Sequence, residues 1–161
     1  MISPLADIKR NIVAPVVLDL DIPGDEFARI QLMTGIGNAE TGYRTRRQVD
    51  GPALGFWQVE PATHDDLWRN WLAYRPALAE VARTYLPAQF EDRLDAQALV
   101  LSDRYAACIA ALVFYRSPVP LPARGNARAQ CAAWKQAYNT AAGAGAVDLQ
   151  HIALFQAAIN A

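Results

Sequence analysis

Apolar residues in this chain recur at helical spacing in segment after segment, and no segment shows the apolar–polar alternation of a half-buried strand. Caps and breakers mark the ends of these segments. Ser3-Pro4 joins a capping residue to a first-turn proline, and Leu5, Ile8, Ile12 and Val16 follow on one face. Pro23-Gly24 breaks the chain, and Asp25 and Glu26 then place negative charge where a helix dipole favours it. Phe27, Ile30, Met33, Thr34 and Gly37 share a face, with Gly42 as the stop. The polar stretch 43–52 ends in a turn signal, so 43–58 reads as a short hairpin or irregular loop. Thr63 and Asp66 have capping-box spacing before Leu67, Trp68, Trp71 and Leu72. Pro76 opens a short helix ending near Pro87, and a polar helix or loop spans 91–101. Ser102-Asp103 caps the most apolar helix, carrying Ala106, Ile109, Ala110, Val113 and Phe114, which Pro118, Pro120 and Pro122 end. Asn126 caps a helix with Cys131, Trp134 and Tyr138, closed by Gly143 and Gly145; Asp148 caps the last, with Leu149, Ile152, Phe155 and Ile159. The expectation is a mainly α-helical domain of seven or so helices, with Trp68, Trp71, Phe114, Trp134 and Phe155 in its core.

Composition narrows the function classes. A length of 161 residues suits one domain spanning 1–161 around one core. Hydrophobic residues at 53% against 19% charged exclude intrinsic disorder. A net charge of −1 lacks the basic excess of a general nucleic-acid binder. The longest apolar stretch, Ile12 to Leu20, is broken by Pro15 and Asp19 and is too short to span a bilayer. Lys9 and Arg10 precede it, but Asp7, Asp19 and Asp21 surround it and no small-residue cleavage site follows, so no signal peptide is expected. Cys108 and Cys131 do not make a disulfide framework and read as buried free thiols. His64 and His151 stand isolated, so neither a metal nor a cofactor is expected.

Glu40 is the residue with chemical promise. It stands in apolar company just before a helix-ending glycine, with Tyr43, Phe56 and Trp57 nearby in sequence. A carboxylate at a helix C-terminus faces the negative end of the dipole, and aromatic neighbours remove water from it. Both effects favour the protonated form, which is what a general acid needs near neutral pH.

A second segment, Gly55-Phe56-Trp57-Gln58-Val59-Glu60-Pro61-Ala62-Thr63, gives Glu40 a context. Together with Glu40-Thr41, it resembles the lysozyme-like superfamily, in its goose-type lysozyme and lytic transglycosylase branch. That branch carries a Glu-Ser or similar pair at the end of a buried helix, then Gly-Leu-Met-Gln-x-x-Pro-x-Thr. Here threonine replaces serine, and Phe56 and Trp57 replace the aliphatic pair. Glu40 and Gln58 lie eighteen positions apart, which matches the family's separation. Ala137-Tyr138-Asn139-Thr140-Ala141-Ala142-Gly143 resembles the family's later Ala-Tyr-Asn-x-Gly motif, with the glycine displaced. The segment 46–58 is also similar to small phage proteins of this group.

The resemblance implies a lysozyme-like helical domain with a small loop beside its cleft. It also implies cleavage of the β-1,4 bond between N-acetylmuramic acid and N-acetylglucosamine, with Glu40 as catalytic acid and then base. Gln58, Gly55, Tyr43, Phe56 and Arg47 would border the glycan strand. Tyr138 and Asn139 would face Glu40 from the opposite wall, with Tyr115 as an alternative tyrosine. Asp50 and Glu60 are the candidates for a second carboxylate, which would activate water for hydrolysis. Without one, the muramic acid's own 6-hydroxyl attacks and an anhydro-sugar forms; the sequence leaves both routes open. Arg44, Arg46 and Arg47 make the one dense basic cluster, suited to the carboxylates of peptidoglycan stem peptides. The expected partners are the glycan strand and components of a phage tail or virion, with no nucleic acid and no stable membrane insertion. Action at the cell wall would follow delivery by the virion or release from the host cytoplasm. A non-enzymatic virion or assembly protein that kept the fold is the rival reading.

Overall fold

The computed structural model describes residues 2–138 and 146–161. The first segment is one continuous helical rod: α1 (Pro4–Ile8), a π-helical turn (Lys9–Val13) and α2 (Ala14–Leu20). Ser3 accepts from the Ala6 N–H, as a cap should. The π turn lies just ahead of Pro15, which has no N–H to give to the carbonyl four residues earlier. That carbonyl, of Asn11, accepts instead from Nε and Nη2 of Arg104 at 3.2 and 2.8 Å. A proline in mid-helix is therefore tolerated because a distant arginine takes over the freed acceptor.

α3 (Glu26–Glu40) is the axis of the molecule. Asp25 caps it, accepting from Phe27 and Ala28 N–H, and Leu32, Met33 and Ile36 are fully buried. Its end is closed by Gly42 at φ 59°, whose N–H reaches the carbonyls of Gly37 and Asn38. The segment 43–60 that follows holds only the isolated bridges Arg47–Leu54 and Leu54–Val59, and no named strand exists among the described residues. Of the two expectations for this segment, the irregular loop is the one realised.

The rest is helical: α4 (Pro61–Asn70), a 3-10 turn (Leu72–Tyr74), α5 (Pro76–Thr84), a 3-10 turn (Ala88–Phe90), α6 (Ala98–Leu101), α7 (Asp103–Arg116), α8 (Ala127–Ala137) and α9 (Leu149–Asn160). Ser102, Asn126 and Asp148 cap α7, α8 and α9 as expected. The Thr63–Asp66 capping box is not formed. α4 starts three residues earlier, with Glu60 at the cap position, because Pro61 pre-sets its first turn, and the Asp66 carboxylate turns to Asn70 and Arg116. Phe27 does not join the inner face of α3; it is 62% exposed at the helix rim under the Arg124 guanidinium. Gly143 and Gly145 lie outside the described residues.

α3 packs against α9 and α8 on one side and against α2 and α7 on the other. The core contains Trp68, Trp71, Phe114, Trp134 and Phe155, together with Trp57 and much of α7. Lys9 ties the two ends of the described chain together: its ammonium donates to the carbonyls of Ala158, Ile159 and Ala161 at the end of α9. Cys108 and Cys131 are free and buried. No helix among the described residues is long and apolar enough to cross a membrane.

Candidate active site

Glu40 is the last residue of α3, and its carboxyl is partly buried where α3 meets α8. Burial raises its pKa to about 7, well above the ordinary glutamate range. The indole N–H of Trp134 works in the opposite direction, donating to Oε1 at 3.1 Å. No carboxylate among the described residues contributes to this shift. Near neutral pH the group is therefore divided between its acid and carboxylate forms. Oε1 is held by the indole donor, and Oε2 has no donor among the described residues.

The two sequence segments that carry the resemblance meet in space. Thr41 donates from its hydroxyl to the Phe56 carbonyl at 2.8 Å and accepts from the Tyr43 N–H at 3.1 Å. The Trp57 indole donates to the Met33 carbonyl of α3 at 2.8 Å. Tyr43 stands edge-on to Phe56 and Trp57, with centroids 5.3 and 5.6 Å away, and donates to the Thr34 carbonyl. Its ring lies against Gly37, where any side chain would collide with it. Tyr43, Phe56 and Trp57 are thus the packed floor that fixes the end of α3; Phe56 and Trp57 are almost fully buried.

Other expected residues take different places. Gly55 has φ 77°, and a Cβ there would lie 2.8 Å from the Leu99 carbonyl. Its bareness permits close packing on α6 and α7. Gln58, also at positive φ, folds its amide back to donate to the Gly55 carbonyl at 2.9 Å. Tyr138 sits close enough to Glu40 for that carboxylate to help raise its own pKa, but its hydroxyl donates to the Trp57 carbonyl and not to the acid. Asn139 lies outside the described residues. Tyr115 is not at the site. It packs edge-on against Trp71 and under the Arg29 guanidinium, and Arg29 is eleven residues before Glu40 on α3, about 16 Å along the helix.

Neither candidate second carboxylate contacts Glu40. Asp50 is exposed at positive φ in the loop, and Glu60 is exposed ahead of α4 without making a capping bond. The basic cluster is partly neutralised. Arg46 pairs bidentately with Asp103 at 2.8 and 2.9 Å, and Arg47 donates to Gln97. Among the described residues, no group of three His, Cys, Asp or Glu side chains could hold a metal ion.

Sequence reasoning placed Trp134 in the core and missed its second role. It is buried to 1%, yet its one polar atom serves Glu40. The available signal was its position four residues before Tyr138, on the same face of α8. His64 was likewise more than a helix-start residue: it is fully buried between Asp65 and Tyr105. No protein-family description, curated protein or solved structure matches the chain.

Proposed function

We propose that this chain is a lysozyme-like peptidoglycan-cleaving enzyme with Glu40 as its acid and base, acting as a lytic transglycosylase. The observation that carries the reading is the partly buried Glu40 carboxyl, titrating near 7 at the end of a buried helix and joined through Thr41 to the Gly55–Gln58 turn. A group divided between its two forms near neutrality can give a proton in one step and take one in the next.

In the proposed reaction the Oε2–H of Glu40 protonates the oxygen linking C1 of N-acetylmuramic acid to N-acetylglucosamine, and the C1–O bond breaks. The carboxylate then takes the proton of the muramic acid 6-hydroxyl as that oxygen bonds to C1. The products are a 1,6-anhydro-sugar and a free 4-hydroxyl, with Glu40 protonated again. The transglycosylase route is preferred over hydrolysis because Asp50 and Glu60 stand exposed and no acidic neighbour acts on Glu40. The glycan strand is the proposed partner. Delivery to the wall by a virion or through a host pore fits a chain of net charge −1 whose arginine cluster is partly neutralised.

Glu40→Gln keeps the acceptor for Trp134 and removes the proton. Clearing of a peptidoglycan suspension is expected to fall to background with it, and mass spectrometry of wild-type products to show anhydro ends. Unchanged clearing by the variant overturns the assignment of Glu40, and reducing ends overturn the transglycosylase route.

A further inference from the structure

Five arginine guanidinia lie over aromatic rings among the described residues. Four of them also use their N–H groups within the fold: Arg29 donates to the Pro23 carbonyl, Arg46 to Asp103, Arg75 to the Trp71 carbonyl and Arg124 to Asp25. Arg83 is the exception. Its guanidinium lies 4.9 Å from the centre of the Trp68 ring, and none of its N–H groups has an acceptor among the described residues. A guanidinium held over a ring in this way keeps its planar fork of N–H donors available, and that fork binds a carboxylate bidentately.

The base of that stack is rigid. Burial keeps His64 neutral, and its Nδ1–H donates to Asp65 at 2.9 Å. Its Nε2 is then an acceptor, so the Tyr105 hydroxyl donates to it at 2.7 Å and in turn accepts from the Trp68 indole at 2.8 Å. Every group in this relay has one consistent role, and the relay fixes the ring on which Arg83 rests.

Arg83 and Trp68 line a cavity of about 540 Å³ between α4 and α5, whose apolar wall includes the buried Leu72 and Ala79 beside Pro76. Arg69, whose side chain has no acceptor among the described residues, lines the same space, as does Asp65. None of these residues belongs to the surroundings of Glu40. We propose that this cavity is a second binding site, for a carboxylate carried on a short apolar body with an amide N–H beside it, as in an N-acylated apolar amino acid. The arginines take the carboxylate, Asp65 accepts from the amide N–H, and the Leu72–Ala79 wall covers the side chain. The size is ample for such a ligand, and the combination of an apolar wall with a few convergent polar groups is that of a small-molecule pocket.

The site is independent of the reading of Glu40 and is tested without any activity. N-acetylleucine and its neutral analogue N-acetylleucinamide are titrated into the full chain by calorimetry, with the indole N–H signals followed by NMR. The acid is expected to bind at least about tenfold more tightly than the amide. The Trp68 indole signal should move while that of Trp134, which reports on Glu40, stays in place. Arg83→Gln, and separately Arg83→Lys, which keeps the charge but not the planar stack, should each weaken the acid by about fivefold or more. Equal binding of acid and amide, absence of binding by either, movement of the Trp134 signal in place of Trp68, or full affinity in a folded Arg83→Lys variant each overturns the proposal.

Discussion

Replacing Glu40 with glutamine should stabilise the protein in alkaline solution and leave its stability nearly unchanged in acid. In the folded chain Glu40 holds its proton up to about pH 7. In the unfolded chain an ordinary glutamate releases it near pH 4.3. Between those values the folded state binds more protons, so stability falls as pH rises. The contribution is fully present below about pH 4.3 and lost once the pH has passed about 7. At about 1.4 kcal/mol for each pH unit, the gap corresponds to about 3.7 kcal/mol, and the carboxyl's remaining contact with water trims this to about 2–3 kcal/mol. Glutamine has no proton to lose and still offers Oε1 to the Trp134 indole, so it escapes that loss. Urea unfolding followed by tryptophan fluorescence, from about pH 4.5 to about pH 8.5, measures the difference between variant and wild type. The other titrating groups are common to both chains and cancel in that difference. It should grow from near zero to about 2–3 kcal/mol in favour of glutamine. A difference that stays flat across this range would refute the claim that burial holds a proton on Glu40.

Trp134→Phe removes the donor that opposes burial, so Glu40 should titrate higher by about half to one pH unit, read from its carboxyl carbon by NMR. Tyr105→Phe strands the His64 Nε2 acceptor and the Trp68 donor, and a loss of about 2–4 kcal/mol is expected in urea unfolding. Lys9→Met deletes three bonds to the end of α9; a loss of about 1–3 kcal/mol and faster amide exchange confined to the last turn of α9 are expected. Gly55→Ala forces a Cβ to 2.8 Å from the Leu99 carbonyl at φ 77° and should cost about 2 kcal/mol or more, seen as a lower thermal midpoint.

What could be read in advance divides along the range of the forces involved. Ser3, Ser102, Asn126 and Asp148 each cap the helix they were expected to cap, because a capping side chain bonds to backbone two or three residues away, and Asp25, expected only as favourable charge, caps α3 as well. The Thr63–Asp66 expectation failed on the same local scale, since Pro61 offered an earlier and better start. Glu40 could be singled out because a lone acid before a helix-ending glycine is a sequence pattern; the meeting of its segment with Gly55–Gln58 is made by the Thr41 and Trp57 side chains, which bond to the Phe56 and Met33 carbonyls. The wall opposite Glu40 could not be read the same way. Tyr138 and Trp134 lie four residues apart on one face, and only the rotation of α8 against α3 decided that the tryptophan takes the acid while the tyrosine takes the Trp57 carbonyl. Arg83 likewise has the composition of an ordinary surface arginine until its place over Trp68 is known.

The sequence by itself therefore determined most of the helices, several of their caps, which faces are apolar and the acid at the end of α3, all of which are patterns within one or two helical turns. The tertiary structure alone decided the pKa of that acid, the identity of its donor, the use of Gly55 for packing and the free guanidinium in the α4–α5 cavity. Those depend on side chains such as Glu40 and Trp134, 94 positions apart. Periodicity carries no information over such a separation; only the packing of α8 and α9 along α3 brings them within hydrogen-bond reach.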